Sequence, residues 1–227
     1  MAGPLLHARG ITCRYGGVEA LAPTDLRIAA GERIALTGPN GAGKTTLLSV
    51  LAGVRRPDAG TVEWEPGARD HVGWVPQRPA LYPRLTVREN LRLFAGLEGA
   101  GDPGGAAEAL IARADLGRFA DRRASALSTG TLQRLNLAIA LAGAPSLLLL
   151  DEPTGTLSPD QRVRLWAWMA DLVRQDDMAL VFSTQSMDEA ARNADRVLVL
   201  SGGRLLHDGP AGQLDEAGFM AMVGDHP

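Results

Sequence analysis

The stretch Gly38-Pro39-Asn40-Gly41-Ala42-Gly43-Lys44-Thr45-Thr46 carries the plainest chemistry in the chain. It fits G-x-x-x-x-G-K-[ST], with Gly38 opening the pattern and Lys44-Thr45 closing it. Residues 33–37 before it read as an apolar strand, and residues 45–51 after it as a helix. A strand, a glycine-rich turn and a helix N-terminus form a nest of backbone N–H groups for polyphosphate, and the lysine reaches the outer phosphates. Lys44 is the only lysine among 23 basic residues; every other one is arginine. A compact ammonium fits inside such a nest, whereas a planar guanidinium does not. The second chemical pair is Asp151-Glu152, which ends the apolar run Leu147-Leu148-Leu149-Leu150. An acidic turn after a buried strand is common by itself. Beside a phosphate loop it divides two tasks, with Asp151 serving Mg²⁺ and Glu152 orienting or deprotonating an attacking water. Together the two motifs imply that the chain binds a nucleoside triphosphate.

The elements that must position these residues show in outline. Residues 5–15 and 25–29 read as paired strands, with a turn at Gly16-Gly17. Short strands follow at 61–64 and 71–75, and Gln77 ends the second. Thr86-Val87-Arg88-Glu89 has the form of a capping box and predicts a helix to about residue 97. Then come a glycine-rich loop over 98–105, a helix at about 106–114, and a helix at about 129–142 capped by Ser128. The four leucines at 147–150 suit a strand buried on both faces of a parallel sheet. Pro159 suits the first turn of a helix to about residue 175. Strands at 179–183, 197–200 and 205–207 complete the pattern, with Ser186-Met187-Asp188-Glu189 as a second capping box.

At 227 residues the chain is long enough for one large domain with its own core, and 45% hydrophobic with 22% charged residues is ordinary for a globular protein. A formal charge of −3 gives no overall electrostatic argument for nucleic acid, and none is expected as a partner. The single cysteine, Cys13, cannot close an intrachain disulfide and suggests a reducing compartment. The N-terminal residues lack the apolar run of a signal peptide. The longest apolar region, 137–150, is interrupted by Gly143, Pro145 and Ser146 and is too short to span a bilayer. The expected location is therefore cytoplasmic, with any membrane role coming through a partner. His7, His71, His207 and His226 form no metal-ligand spacing. Trp166 and Trp168, on a helix apolar on most sides, read as core or subunit packing.

These motifs, in this order, resemble those of the nucleotide-binding subunits of ABC transporters, and the resemblance covers nearly the whole chain. Tyr15 matches the aromatic that stacks on adenine, residues 38–46 the first nucleotide motif, and Gln77 the Q-loop glutamine. Leu127-Ser128-Thr129-Gly130-Thr131 with Gln133-Arg134 falls where the signature L-S-G-G-Q-x-Q-R belongs. Residues 147–152 match the second nucleotide motif and 153–159 the D-loop region. The resemblance implies an α/β fold, a P-loop NTPase core of mainly parallel sheet with an antiparallel β subdomain and an inserted α-helical subdomain. On that pattern the β subdomain and ATPase core occupy about 1–77 and 143–210, the helical subdomain about 78–142, and a short tail 211–227.

The resemblance further implies two subunits closing head-to-tail, with ATP between one phosphate loop and the other subunit's signature helix. Ser128 and the backbone at Gly130 then face a nucleotide bound by the partner. Thr45, Gln77 and Asp151 fall to Mg²⁺, and Glu152, Gln77 and Gln185 to catalysis. The partners implied are integral membrane permease subunits on separate polypeptides and a second ABC ATPase subunit, identical or different. The chain would sit on the cytoplasmic face of the membrane through the permease. Residues 80–91 look like the drug and glycolipid exporter branch, although importers carry similar text.

Four positions depart from the family pattern. Thr129 stands where the first signature glycine is expected, Thr131 where the glutamine is, Ser158 where the D-loop aspartate is, and Gln185 where the switch histidine is. Glutamine can hydrogen-bond a γ-phosphate but carries neither imidazole's proton nor its charge. These changes predict slow hydrolysis by a homodimer, or pairing with a subunit that supplies a better signature. Two other classes compete: a non-transport ABC ATPase acting on ribosomes or DNA, and a regulatory nucleotide-gated module with vestigial hydrolysis.

Overall fold

The computed structural model describes residues 3–66 and 71–224, so His226 and the end of the 211–227 tail lie outside the described residues. In chain order the elements are β1 (Pro4–Tyr15), β2 (Val18–Ala29), β3 (Arg33–Thr37), α1 (Lys44–Leu51), β4 (Ala59–Trp64), β5 (Val72–Val75), α2 (Val87–Leu97) and α3 (Pro103–Arg113). There follow α4 (Thr129–Ala140), β6 (Leu147–Leu150), α5 (Pro159–Asp176), β7 (Ala179–Thr184), α6 (Met187–Asn193), β8 (Arg196–Ser201), β9 (Arg204–Pro210) and α7 (Glu216–Gly224). The strands form a three-stranded sheet, β2-β1-β4, and a six-stranded sheet, β5-β6-β7-β3-β8-β9. The smaller sheet is antiparallel, and the larger is parallel except for β9 against β8.

The apolar runs follow from burial on both faces of the larger sheet. Ile34, Leu36, Leu147, Leu149, Val181 and Leu198 face a core shared with Leu6, Ile11, Leu21 and Ile28 of the antiparallel sheet. Their neighbours Leu148, Leu150, Phe182, Val197 and Val199 face a second core with Leu91, Leu135, Leu165 and Met169 of the helices. Each such side chain contributes about 1.5–3 kcal/mol when fully buried, so every position of these strands is under apolar demand. A buried polar residue among them therefore stands out, as Ser183 does at 0% exposure.

The parallel register sets the site. Thr37 lies opposite Thr184, and Leu150 opposite both Val75 and Phe182. The segments leaving β3, β5, β6 and β7 therefore emerge along one edge, where ligands bind in open α/β sheets. They bring the phosphate loop, Gln77, Asp151-Glu152 and Gln185 together.

Several elements differ from the sequence expectation. β2 begins at Val18, well before residue 25, because Val18, Glu19, Leu21 and Thr24 already pair with Tyr15, Arg14, Cys13 and Ile11 of β1. α3 begins at Pro103, inside the expected loop: Asp102 accepts hydrogen bonds from the N–H groups of Gly104 and Gly105 at 3.1 and 3.0 Å, with proline in the first turn. Within the expected tail, α7 packs Phe219 and Met222 against the core. The capping box at Thr86-Glu89 is complete. The one at Ser186-Glu189 is only half made: Glu189 N–H donates to Ser186 Oγ at 3.2 Å, but Ser186 N–H donates to Thr184 Oγ1. Asn90, fully buried, ties the turn between Gln77 and α2: Oδ1 accepts from Tyr82 N–H at 2.8 Å, and Nδ2 donates to the carbonyls of Tyr82, Thr86 and Leu85 at 3.0, 2.9 and 3.3 Å. Among the described residues no helix is long and apolar enough to cross a membrane.

Candidate functional site

The phosphate loop needs its glycines for two reasons. Gly38, Gly41 and Gly43 have φ of 149°, 80° and 102°, a region that L side chains rarely adopt. A Cβ on Gly38 would also lie 2.0 Å from the Leu200 carbonyl oxygen, and one on Gly43 2.5 Å from that of Ala20. The loop leads into the N-terminus of α1, whose unpaired N–H groups suit an anion. Lys44 is buried and turns back over the loop, donating from Nζ to the carbonyls of Gly38 at 2.7 Å and Pro39 at 2.9 Å. Burial lowers its pKa from the ordinary lysine value, while the carboxylates of Glu152 and Asp151 pull the other way. A cavity of about 450 Å³ opens between residues 38–42, Gln185 and Phe219 of α7. Tyr15 ends β1 half exposed, with the Arg55 guanidinium 4.0 Å from its ring centroid. Arg55 in turn donates to the Arg14 carbonyl at 2.7 Å and pairs with Asp58 at 3.6 Å.

At the end of β6 the two acids part company. Asp151, 3% exposed, accepts from Thr45 Oγ1 at 2.8 Å and from Ser183 Oγ at 2.6 Å. Glu152 has φ of 48°, the left-handed region, and its N–H donates to Ser183 Oγ at 2.8 Å. Such a backbone costs about 1–3 kcal/mol and persists where its surroundings hold it, as Ser183 does here. The Glu152 carboxylate meets two amides: Oε2 accepts from Gln77 Nε2 at 3.1 Å and Oε1 from Gln185 Nε2 at 2.8 Å.

The Thr45–Asp151 pair fits Mg²⁺, a hard cation that takes one or two protein oxygens and completes its shell with phosphates and water. Among the described residues no group of three or more His, Cys, Asp or Glu could hold a metal without such help. Gln77 is bonded to Glu152 and not to this pair.

Ser128 and Gly130 stand elsewhere. Ser128 caps α4, its Oγ accepting from Thr131 N–H at 3.4 Å and sharing a 2.9 Å bond with the Thr131 hydroxyl. A Cβ on Gly130 would come 2.7 Å from Gln161 Nε2. Gln161 Oε1 accepts from Ser158 N–H at 3.1 Å, so the 153–158 segment leans on the start of α4. The cavity of about 280 Å³ beside Ser128, Gly130, Thr131 and Gln161 shares no residue with the one at the phosphate loop. The two cavities are therefore separate within one chain.

Residues 21–155 match the family model described as ABC transporter, a span that holds the phosphate loop, Gln77, Ser128 and Asp151-Glu152. The chain belongs to the ABC transporter family. A sulfate/thiosulfate import ATP-binding protein of Rhodopseudomonas palustris is 37% identical over 231 residues, covering 96% of this chain and 66% of that protein. A probable multidrug ABC transporter ATP-binding protein of Escherichia coli is 39% identical over 223 residues, covering 92% of this chain and 38% of that protein. The chain therefore spans less than two thirds of these relatives' own length. The dimeric structure of a post-hydrolysis state of an ATP-binding cassette bound to ADP and Pi superposes with a TM-score of 0.80 at 26% identity, covering 91% of this chain and 99% of that one.

This ABC-family chain also uses residues that the motifs do not reveal. Ser183 bridges Asp151 and the Glu152 backbone, and its only sequence signal is that it ends the apolar run Ala179-Leu180-Val181-Phe182. Arg55, stacked on Tyr15, has no sequence signal of its own.

Proposed function

We propose that this chain is the ATP-hydrolysing subunit of a membrane transporter, working at a head-to-tail dimer interface. The observation that carries the reading is the edge of the parallel sheet, where a glycine nest with a buried lysine lies beside the Thr45–Asp151 pair and Glu152. Residues 38–46 would cradle the triphosphate, with Tyr15 against the adenine. Thr45 and Asp151 would hold Mg²⁺, which when bound neutralises charge on the phosphate oxygens. Glu152 would accept the proton of a water that attacks the γ-phosphorus as its bond to the β-phosphate oxygen breaks, leaving ADP and phosphate. Gln77 and Gln185 would orient that carboxylate. Ser128 and the Gly130 backbone would close on a nucleotide held by a second ABC ATPase subunit.

A permease on separate polypeptides would place the chain at the cytoplasmic face of a membrane. The relatives include both an import protein and a probable multidrug transporter, so family likeness supports either direction. A second reading, a slow or regulatory subunit of an asymmetric pair, is favoured by Gln185 on Glu152 and by Thr131 on Ser128. The test is Glu152→Gln in the full chain. Loss of a general base costs about 10²–10⁴-fold, so turnover should fall by at least that lower bound while MgATP binding persists. Unchanged turnover would overturn the reading of Glu152.

A further inference from the structure

Glu189 of α6 belongs to none of the nucleotide motifs above, only to a half-made capping box, yet its carboxylate collects donors from three elements. Thr154 Oγ1, in the segment leaving Glu152, donates to Oε1 at 2.5 Å, and Trp166 Nε1 of α5 donates to the same oxygen at 2.9 Å. Thr184 Oγ1, directly before Gln185, donates to Oε2 at 2.5 Å. Both threonines are buried, at 3% and 4% exposure, so neither hydroxyl has water as a ready alternative. Hydrogen bonds to a carboxylate are roughly twice as strong as neutral ones. Trp166 is itself fixed edge-on against Phe182, ring centroids 4.5 Å apart. One side chain therefore sets the position of the segment after Glu152 relative to the turn that carries Gln185. These are the segments whose side chains meet at the bond between Gln185 Nε2 and Glu152 Oε1.

We propose that Glu189 is a positioning residue that couples the 153–158 segment to the Gln185 turn, so that displacement of either is passed to the other. It touches no reacting atom and acts through Thr154 and Thr184. Its consequence for turnover rests on the reading of Glu152 given above; the coupling itself does not. Gln161 extends the link by holding Ser158 against Gly130, which ties the same segment to the half-site offered to a partner.

The test reads coupling at a distance. In Glu189→Gln the shape stays, but an amide nitrogen cannot accept from a hydroxyl. Amide hydrogen exchange followed by mass spectrometry should then quicken about tenfold in the peptides spanning both 153–157 and 184–187, with the middle of α5 unchanged. Thr154→Val, which removes one donor and keeps the volume, should quicken exchange at 184–187, a segment Thr154 reaches through Glu189. This second variant serves if the first fails to fold. Steady-state kinetics with MgATP should show kcat of Glu189→Gln reduced on the order of tenfold with KM within about twofold, the pattern of misplaced catalytic groups. A purely local structural role predicts a lower melting temperature with exchange at 184–187 untouched by Thr154→Val, and that result overturns the proposal. Wild-type kcat in Glu189→Gln overturns its role in positioning the catalytic groups, as unchanged exchange overturns the coupling. If the wild-type chain does not hydrolyse MgATP, the reading of Glu152 falls, and exchange alone decides the coupling.

Discussion

The perturbation that bears most directly on this chain's departures is Gln185→His. Gln185 Nε2 lies 2.8 Å from Glu152 Oε1, so its amide supplies a donor but no net charge. An imidazolium there would add a unit charge about 4 Å from the carboxylate and from any phosphate oxygen beside it. At an effective dielectric of ~20 that separation corresponds to about 4 kcal/mol. Gln185 is exposed and Glu152 only half-buried, so solvent screening reduces this to about 1–1.5 kcal/mol. The same charge makes Glu152 a weaker base, which keeps the net effect at the lower end. The expected gain in kcat is therefore roughly fivefold. The pH sign follows: a neighbouring carboxylate raises the imidazole pKa above its ordinary value of about 6.5. The gain is then fully present below about 6.5 and lost as pH rises through the raised value, whereas an amide does not titrate. The assay is phosphate release by the full chain at saturating MgATP from pH 6 to 9, with wild type and variant side by side. A gain under twofold, or an equal gain at every pH, would refute the reasoning, because a charge effect must vanish with the charge.

Two further outcomes concern the scaffold. Gly38→Ala places a methyl 2.0 Å from the Leu200 carbonyl oxygen, a backbone atom that cannot swing away, so the loop must shift. We expect a loss of about 1–3 kcal/mol in urea unfolding and MgATP affinity reduced at least tenfold; wild-type values for both would show the loop to be more pliant than its geometry implies. Asn90→Ala removes the acceptor for Tyr82 N–H and a second donor to three carbonyls, from a side chain that is itself fully buried. The three carbonyls keep backbone donors from Leu85, Asn90 and Ala124, so the loss of the Tyr82 N–H partner dominates and should cost about 1–3 kcal/mol, visible as a lower urea midpoint with an unchanged slope.

What could be read from the sequence was local or periodic. The phosphate loop is a contiguous pattern, and the buried strands are contiguous apolar runs, so the α/β class and the parallel sheet follow from segments a few residues long. α3 was hidden because Gly104 and Gly105 mask a helix that Asp102 and Pro103 start. Glu189 misled in the opposite direction. Its spacing from Ser186 predicts a capping box, but its carboxylate instead meets Thr154 and Trp166, 35 and 23 residues away in the chain. Three donors supplied by tertiary structure outweigh the single backbone N–H that local spacing offers, and no local pattern records them. Ser183 is the intermediate case, visible as the first polar residue at the end of an apolar run, with its partners fixed only by the register of β6 against β7.

The departures from the family pattern also change meaning once their contacts are known. Read as text, Thr131 and Gln185 are missing groups. In the fold they are occupied ones: Thr131 shares its hydroxyl with Ser128, and Gln185 spends its amide on Glu152. Ser128 and Glu152 are the side chains that a closing dimer would turn toward nucleotide and water, and in this chain both already have partners. Closure must then exchange an internal hydrogen bond for an intermolecular one at each half-site, and each exchange sets about 0.5–1.5 kcal/mol against the gain. Slow turnover is therefore expected from competition within the chain as well as from the absent imidazole. The two causes separate experimentally: Gln185→His addresses only the charge, whereas Thr131→Gln removes the hydroxyl bond to Ser128, leaves its backbone cap in place and should act on the subunit whose nucleotide it faces.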